Sequence, residues 1–317
     1  MFYIDQTTPE FIAARDHHFK CIRYVIKKKL LGPAFTEPHP TGSTKRINIV
    51  NKIPASVKLF LGNETNLKKV IIGLPQDLEL IKEKFSKDKA KKAIDSLLNY
   101  EAFIDTKEDK TYHFYHGYNL AKNLKHFTCV YCNRLYTHTI IQKKDNITRP
   151  AFDHWFPKGK YPILQLSFYN LIPSCTVCNS QVKKELQLNT SEHFHPYVRH
   201  TNKHYRLDFR FSYDLEDHVN AKCKLDTFNK FTERSVIAMK IKQIYDSHNE
   251  ELRELIFLKK AYSINYIKSL QSLMKMTLNN DEIYRIAFGV YKEGEHLHKR
   301  PLSKLKKDIL LQLGVIK

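Results

Sequence analysis

Two pairs of cysteines in this sequence have the spacing of metal-binding knuckles. Cys129 and Cys132 form one Cys-x-x-Cys pair, Cys175 and Cys178 form another, and 42 residues lie between the pairs. A Cys-x-x-Cys turn places two thiolates on one side of a tight loop, and two such turns complete a tetrahedral, all-thiolate zinc site. Such a site contributes folding free energy directly, because the unfolded chain has no preformed site. The sequence therefore predicts a structural zinc ion bound by these four cysteines.

Redox chemistry or coincidence is the alternative explanation for the cysteine pairs. A redox Cys-x-x-Cys motif is normally single and begins a helix in thioredoxin-like surroundings, whereas here two pairs flank one segment. The remaining cysteines, Cys21 and Cys223, lie outside any pair and are expected to be ordinary core thiols. The paired spacing favours zinc.

Residues between the pairs, and just after the second, are suited to phosphodiester hydrolysis. That reaction needs a base near neutral pH, a cation at the leaving oxygen and positive charge against the neighbouring phosphates. His154 can serve as the base, and Asp153 beside it is a hard oxygen ligand for Mg²⁺ or Mn²⁺. Asn179 directly follows the second pair and can offer a carbonyl oxygen to the same cation. Asn170 can brace the loop that carries the histidine.

Lysines close to these groups are candidates for contacts with phosphates, namely Lys158, Lys183 and Lys184. The alternative for the whole set is structural: the aspartate–histidine pair would be a surface turn, and both asparagines would be loop residues. Each residue alone is more often structural than catalytic. As a set framed by two cysteine pairs, they favour catalysis.

This set of motifs resembles the HNH endonucleases, in particular their zinc-knuckle branch. The residues that carry the resemblance are Cys129-x2-Cys132, Asp153-His154-x2-Pro157, Asn170-Leu171, Cys175-x2-Cys178-Asn179 and Lys183. In that family two β-strands and a helix clasp one divalent metal. The resemblance implies an α+β protein with a central ββα-metal module and a four-cysteine zinc site, flanked by mainly helical N-terminal and C-terminal regions.

The resemblance also implies a role for each site residue. His154 would be the general base, Asp153 and Asn179 the ligands of the catalytic metal, and Asn170 the residue that orients the catalytic loop. Asn179 stands where many members of the family have histidine, so the preference for Mg²⁺ or Mn²⁺ stays open. The products would carry a 5′-phosphate and a 3′-hydroxyl.

A wider stretch, from about residue 118 to 197, is similar to bacterial HNH proteins found beside ATPases in anti-phage systems of the Septu sort. The strings CVYCNR, DHWFPKGKYP and NLIPSCTVCNS carry this similarity, and RPLSKLKKDIL near the C-terminus recurs in the same group. The resemblance implies a defence effector and a partner ATPase or sensor protein.

Patterns along the chain indicate the elements that must position these residues. We expect a mixed, mostly helical region over 1–125, the nuclease domain over 126–215 and a helical region over 216–317. Apolar residues at helical spacing predict a helix that ends at Gly32-Pro33. Two short strands are also predicted, one over 111–114 and one over the strictly alternating residues 206–213.

The charge of the chain favours a polyanionic partner. Lys and Arg total 53 against 33 acidic residues, a net charge of +20, and phosphate contacts release condensed counterions. The first residues lack the cationic and apolar regions of a secretory signal, and no apolar stretch is long enough to span a membrane. The sequence thus predicts a cytoplasmic, soluble protein, and the resemblance to HNH endonucleases implies double-stranded DNA as the substrate, with RNA left open. The alternative is a non-catalytic zinc-ribbon module that binds nucleic acid or acts as an adaptor.

Overall fold

The described part of the chain has an α+β fold, with helices as the larger part and three small antiparallel sheets. The computed structural model describes residues 3–43, 46–105, 110–142, 146–198, 209–261, 269, 272, 280–291 and 293–316. The helices are α1 (Pro9–Leu31), α2 (Ala55–Gly62), α3 (Glu64–Ile72), α4 (Pro75–Ile81), α5 (Asp88–Leu98), α6 (Tyr100–Ile104), α7 (Gly117–Leu124), α8 (Lys230–Ala238), α9 (Ile241–Tyr245), α10 (Asn249–Ala261), α11 (Asn280–Phe288) and α12 (Ser303–Gln312). The strands are β1 (Ile140–Ile141), β2 (Asn146–Thr148), β3 (Ala151–His154), β4 (Leu171–Ser174), β5 (Phe209–Ser212) and β6 (Lys224–Thr227).

Helix α1 is the long helix predicted from the apolar periodicity, and that prediction is confirmed. The Thr8 hydroxyl accepts a hydrogen bond from the Phe11 N–H at 3.3 Å and caps its start. Gly32 ends it at a φ of 58°, with its N–H bonded to the Lys28 carbonyl; a positive φ is readily adopted by glycine. Among the described residues, no helix is long and apolar enough to cross a membrane.

The N-terminal helices also hold the connection between β3 and β4. The His18 imidazole, buried in α1, contacts the Leu166 carbonyl through Nε2 at 2.8 Å. The Ser167 hydroxyl donates to the Val70 carbonyl of α3 at 2.5 Å. Because this part of the connection is buried and bonded from two sides, the residues that lead into β4 have a defined path.

The strand predicted over residues 111–114 is wrong. Residues Lys110–Tyr112 form a 3₁₀ turn instead. Tyr112 and Tyr115 are both fully buried, and residues three apart point the same way in a helical turn but to opposite faces in a strand. Burial of both rings therefore outweighs the strand propensity of the individual aromatic residues.

The described part of the strand predicted over 206–213 is present as β5; residues 206–208 lie outside the described residues. Phe209 and Phe211 are buried while Arg210 between them is exposed, as the alternation predicts. Strand β5 pairs with β6 and packs against α12. The Asp308 carboxylate on α12 accepts the Phe211 N–H at 2.9 Å, so the last helix is bonded to the edge of this sheet.

The central sheet consists of β3 and β4, paired antiparallel with Asp153 opposite Ile172 and His154 opposite Leu171. Both strands are almost entirely buried. Strand β4 runs directly into the second cysteine pair and a short π-helix, Val177–Lys183. The order strand, strand, helix thus places the predicted polar residues on adjacent segments.

Candidate metal centre and adjoining polar site

The four paired cysteines come together in the interior. The Sγ atoms of Cys129, Cys132, Cys175 and Cys178 all lie within 4.8 Å of one another, and all four residues are buried. All six cysteines of the chain are described and are free thiols. Cys21 and Cys223 are buried elsewhere, as expected of core residues. Four buried thiolates at this separation would repel one another without a cation, so the cluster could hold a metal ion such as zinc.

Each cysteine pair lies in a tight turn. In the first, the Asn133 N–H donates to the Cys129 carbonyl at 2.8 Å, and the Cys129 N–H donates to the Leu135 carbonyl at 3.0 Å. In the second, the Cys178 N–H points at the Cys175 Sγ at 3.4 Å, a contact that stabilises a thiolate. The Val130 N–H donates to the Pro173 carbonyl of β4 at 3.2 Å, which joins the first turn to the central sheet.

The C-terminal region is bonded to the first cysteine turn. The Tyr245 hydroxyl donates to the Cys132 carbonyl at 2.6 Å. The Asn133 carbonyl accepts the Leu302 N–H at 2.7 Å, and the Asn133 side-chain amide donates to the Leu297 carbonyl at 3.1 Å. A metal at the cysteines would therefore stabilise the attachment of the C-terminal region as well as the turn itself.

Asp153 lies at the interior end of β3 and is 2% exposed. Its Oδ2 accepts a hydrogen bond from the Tyr131 hydroxyl at 2.5 Å and lies 3.4 Å from the Lys183 Nζ. Burial raises the pKa of Asp153, and the Lys183 ammonium and the Tyr131 hydroxyl act against that rise. The carboxylate is thus held from two sides.

Lys183 is placed differently from the phosphate contact expected from the sequence. Its side chain is fully buried, and its Nζ donates to the His154 carbonyl at 2.7 Å besides pairing with Asp153. Burial lowers the pKa of Lys183, whereas the neighbouring carboxylate acts to raise it. An ammonium enclosed in this way does not fit a role at the surface of a bound nucleic acid, and this part of the expectation is corrected. Lys183 connects the π-helix to the end of β3.

His154 is oriented by a backbone carbonyl. Its Nε2 lies 2.9 Å from the Gln165 carbonyl oxygen, and since a carbonyl can only accept, Nε2 carries the proton and Nδ1 keeps its lone pair. The Tyr100 ring packs edge-on against the imidazole, with the two ring centres 4.4 Å apart. Burial lowers the pKa of His154 to about 3. The imidazole is therefore neutral near pH 7, with an acceptor nitrogen that makes no hydrogen bond to any described residue.

Asn170 spans the buried connection that follows His154. Its Oδ1 accepts the Phe156 N–H at 2.7 Å, and its Nδ2 donates to the Phe156 carbonyl at 3.1 Å and to the Leu164 carbonyl at 2.9 Å. These bonds join the two ends of the connection. They are contacts of the kind expected of a residue that braces this loop.

Asn179 and two of the predicted lysines are more accessible. Asn179 is half-buried on the π-helix, and its side-chain amide makes no hydrogen bond to any described residue. Lys184 follows at the surface. The Lys158 side chain is 41% exposed, pairs with Glu101 and lies 5.2 Å from the centre of the Tyr100 ring. Lys158 and Lys184 are therefore placed where a phosphate could reach them.

Tyr131 and Gln165 belong to the site but were not identified from the sequence. Tyr131 lies between the two cysteines of the first pair, so its position beside the four-cysteine cluster could have been expected. Its hydrogen bond to Asp153 could not. Gln165 contacts His154 through its backbone carbonyl, and a contact of that kind cannot be recognised from a motif of side chains. His195, which follows the site in sequence, is fully buried and packs its ring 4.5 Å from that of Trp155.

The chain matches no protein-family model, no curated protein and no solved structure. The chemistry of this site therefore follows from its own residues and their geometry.

Proposed function

We propose that the protein is a metal-dependent endonuclease of the HNH type that hydrolyses phosphodiester bonds, with double-stranded DNA as the substrate. One observation carries the proposal: β3 ends in Asp153 and His154, and its partner β4 runs through the second cysteine pair into the helix that bears Asn179. This order of two paired strands and a short π-helix beside a four-thiolate cluster supports the proposal.

His154 is the general base of the proposed reaction. The Gln165 carbonyl holds its Nε2–H, so Nδ1 can accept the proton of an attacking water. The Asn170 hydrogen bonds hold the connection on which that carbonyl lies. The Gln165 carbonyl fixes the ring, and burial keeps Nδ1 unprotonated near pH 7.

Asp153 and Asn179 fit a hard divalent cation. The Tyr131 hydroxyl and the Lys183 ammonium both act on Oδ2 of Asp153, and no described residue donates a hydrogen bond to its Oδ1. The Asn179 amide oxygen is likewise without a partner among the described residues. A carboxylate and an amide oxygen suit Mg²⁺ or Mn²⁺. When bound, such a cation stabilises negative charge on the scissile phosphate.

The four cysteines hold zinc in this proposal, because four thiolates and no oxygen donor select zinc over Mg²⁺ or Mn²⁺. The net charge of +20 supplies long-range attraction to DNA, with Lys158 and Lys184 as local phosphate contacts. A role as the effector of an anti-phage system, with a partner ATPase or sensor protein, follows from the motif resemblance and is part of the same proposal.

A plasmid-nicking assay tests the function. Purified protein loaded with zinc should convert supercoiled plasmid to open-circle and linear forms when Mg²⁺ or Mn²⁺ is added, and EDTA should stop the reaction. A single-stranded RNA of matched length serves as the competing substrate. Binding of DNA in a gel shift without any cleavage, under every divalent cation tried, would instead support a zinc-ribbon binding or adaptor module.

A further inference from the structure

The hydroxyl that bonds the Asp153 carboxylate and the ammonium that pairs with it both come from segments next to the cysteine cluster. Tyr131 lies between Cys129 and Cys132, and its hydroxyl donates to Oδ2 at 2.5 Å. Lys183 ends the π-helix that contains Cys178 and lies 3.4 Å from the same oxygen. The first cysteine turn and the π-helix that contains Cys178 thus each contribute one group to a single carboxylate oxygen.

The arrangement is one-sided. Tyr131 and Lys183 both act on Oδ2, and within the described part of the chain Oδ1 receives no hydrogen bond. Tyr131 is fully buried, as is the Lys183 side chain, so neither donor can exchange Asp153 for water without local rearrangement. Two fixed donors on one oxygen set the rotation of the carboxylate and direct the other oxygen away from them.

We propose that Tyr131 is a positioning residue, through which the four-cysteine site sets the orientation of Asp153 toward the divalent cation. The inference rests on the proposed function, since it assumes that Asp153 binds that cation. Residues that orient a metal ligand typically change metal affinity by about 10- to 100-fold when they are removed. Loss of the Tyr131 hydroxyl should therefore weaken cation binding at Asp153 while the cysteine cluster stays intact.

Tyr131→Phe tests this, because it deletes the hydroxyl and keeps the buried ring. Tyr245→Phe is the matched control: it deletes another buried hydroxyl on the same cysteine turn, one that donates to the Cys132 carbonyl and not to Asp153. Mn²⁺ affinity is measured by electron paramagnetic resonance of free Mn²⁺, with zinc content and melting temperature recorded on the same preparations.

We expect Tyr131→Phe to keep its zinc and to bind Mn²⁺ about 10- to 100-fold more weakly than the parent, whereas Tyr245→Phe keeps the parental Mn²⁺ affinity. If Tyr131→Phe does not fold, Cys132→His provides a second route. It keeps a zinc ligand beside Tyr131 but alters the turn, and it should lower Mn²⁺ affinity in the same direction.

Asp153→Asn separates the two levels of the argument. If the parent and Asp153→Asn bind Mn²⁺ equally, Asp153 is not a metal ligand, and the proposed function fails together with the inference. If Asp153→Asn loses Mn²⁺ but the folded Tyr131 or Cys132 variant binds it with parental affinity, the positioning role alone is overturned. An equal loss in Tyr131→Phe and Tyr245→Phe would also overturn it, because the effect would then belong to the turn as a whole.

Discussion

Replacing Lys183 by methionine should destabilise the protein, because it leaves a buried carboxylate without its charged partner. The side chains of Lys183 and Asp153 are 0% and 3% exposed, and Nζ lies 3.4 Å from Oδ2. The substitution also removes the 2.7 Å hydrogen bond to the His154 carbonyl. Methionine keeps the unbranched stem, so packing is largely retained. Loss of one partner of a buried pair costs about 3–5 kcal/mol of folding free energy.

Lys184→Met is the matched control, since that side chain is exposed on the next residue. A surface substitution of this kind should change stability by no more than about 0.5 kcal/mol. The double variant Asp153→Asn with Lys183→Met removes both charges. It should recover part of the loss, with a coupling free energy of about 0.5–3 kcal/mol for residues in contact.

Urea unfolding followed by circular dichroism, on zinc-loaded protein at pH 7, measures these differences. Gel-shift affinity for DNA is measured on the same samples. The reasoning is refuted if Lys183→Met costs less than about 1 kcal/mol, well below the range for a broken buried pair, and weakens DNA binding more than Lys184→Met does. Lys183 would then be the phosphate contact that the motif suggested.

Other regions of the molecule yield further predictions. Purified protein should contain about one zinc per chain by mass spectrometry, the stoichiometry of a four-thiolate site, and a stable, zinc-free Cys178→Ser protein would contradict the cluster's structural role. Asn170→Ala should lower the free energy of unfolding by about 1–3 kcal/mol, because it leaves buried backbone groups unpaired; an unchanged urea midpoint would argue against the bracing role. Burial lowers the pKa of His18 to about 4, so the unfolded chain takes up a proton first as the pH falls below about 6.5. Relative to His18→Gln, the parent should therefore lose about 1 kcal/mol of stability between pH 7.5 and 5.5, and an identical pH dependence of both proteins would contradict this.

Features set by local rules were accessible from the sequence. The four cysteines could be placed together because each pair has the spacing of metal ligands, and a tetrahedral site needs both pairs. The end of helix α1 could be predicted because Gly32 acts within one turn of it. In both cases the determining interactions join residues close in sequence, or atoms that need a common cation.

Contacts that depend on tertiary packing were not accessible. Helical spacing beyond Asn179 indicates which residues share a turn, but not that Lys183 faces the interior and meets Asp153, 30 positions earlier in the chain. The hydrogen bond from Tyr131 to Asp153 spans 22 positions, and it depends on the path of the whole segment between these two residues. The Tyr112–Tyr115 segment follows a turn rather than a strand because both rings enter the core.

The cleavage rate of His154→Ala, compared with the parent on the same zinc-loaded preparations, tests the central claim most directly. A general base contributes about 10²- to 10⁴-fold to rate, and the imidazole makes one side-chain hydrogen bond among the described residues, to the Gln165 carbonyl. We therefore predict that His154→Ala folds and keeps its zinc and its affinity for DNA, loses about 1–3 kcal/mol of stability because the buried Gln165 carbonyl is left unpaired, and nicks plasmid at least about 100-fold more slowly. A folded His154→Ala protein that cleaves at the parental rate would contradict the nuclease mechanism proposed for this site.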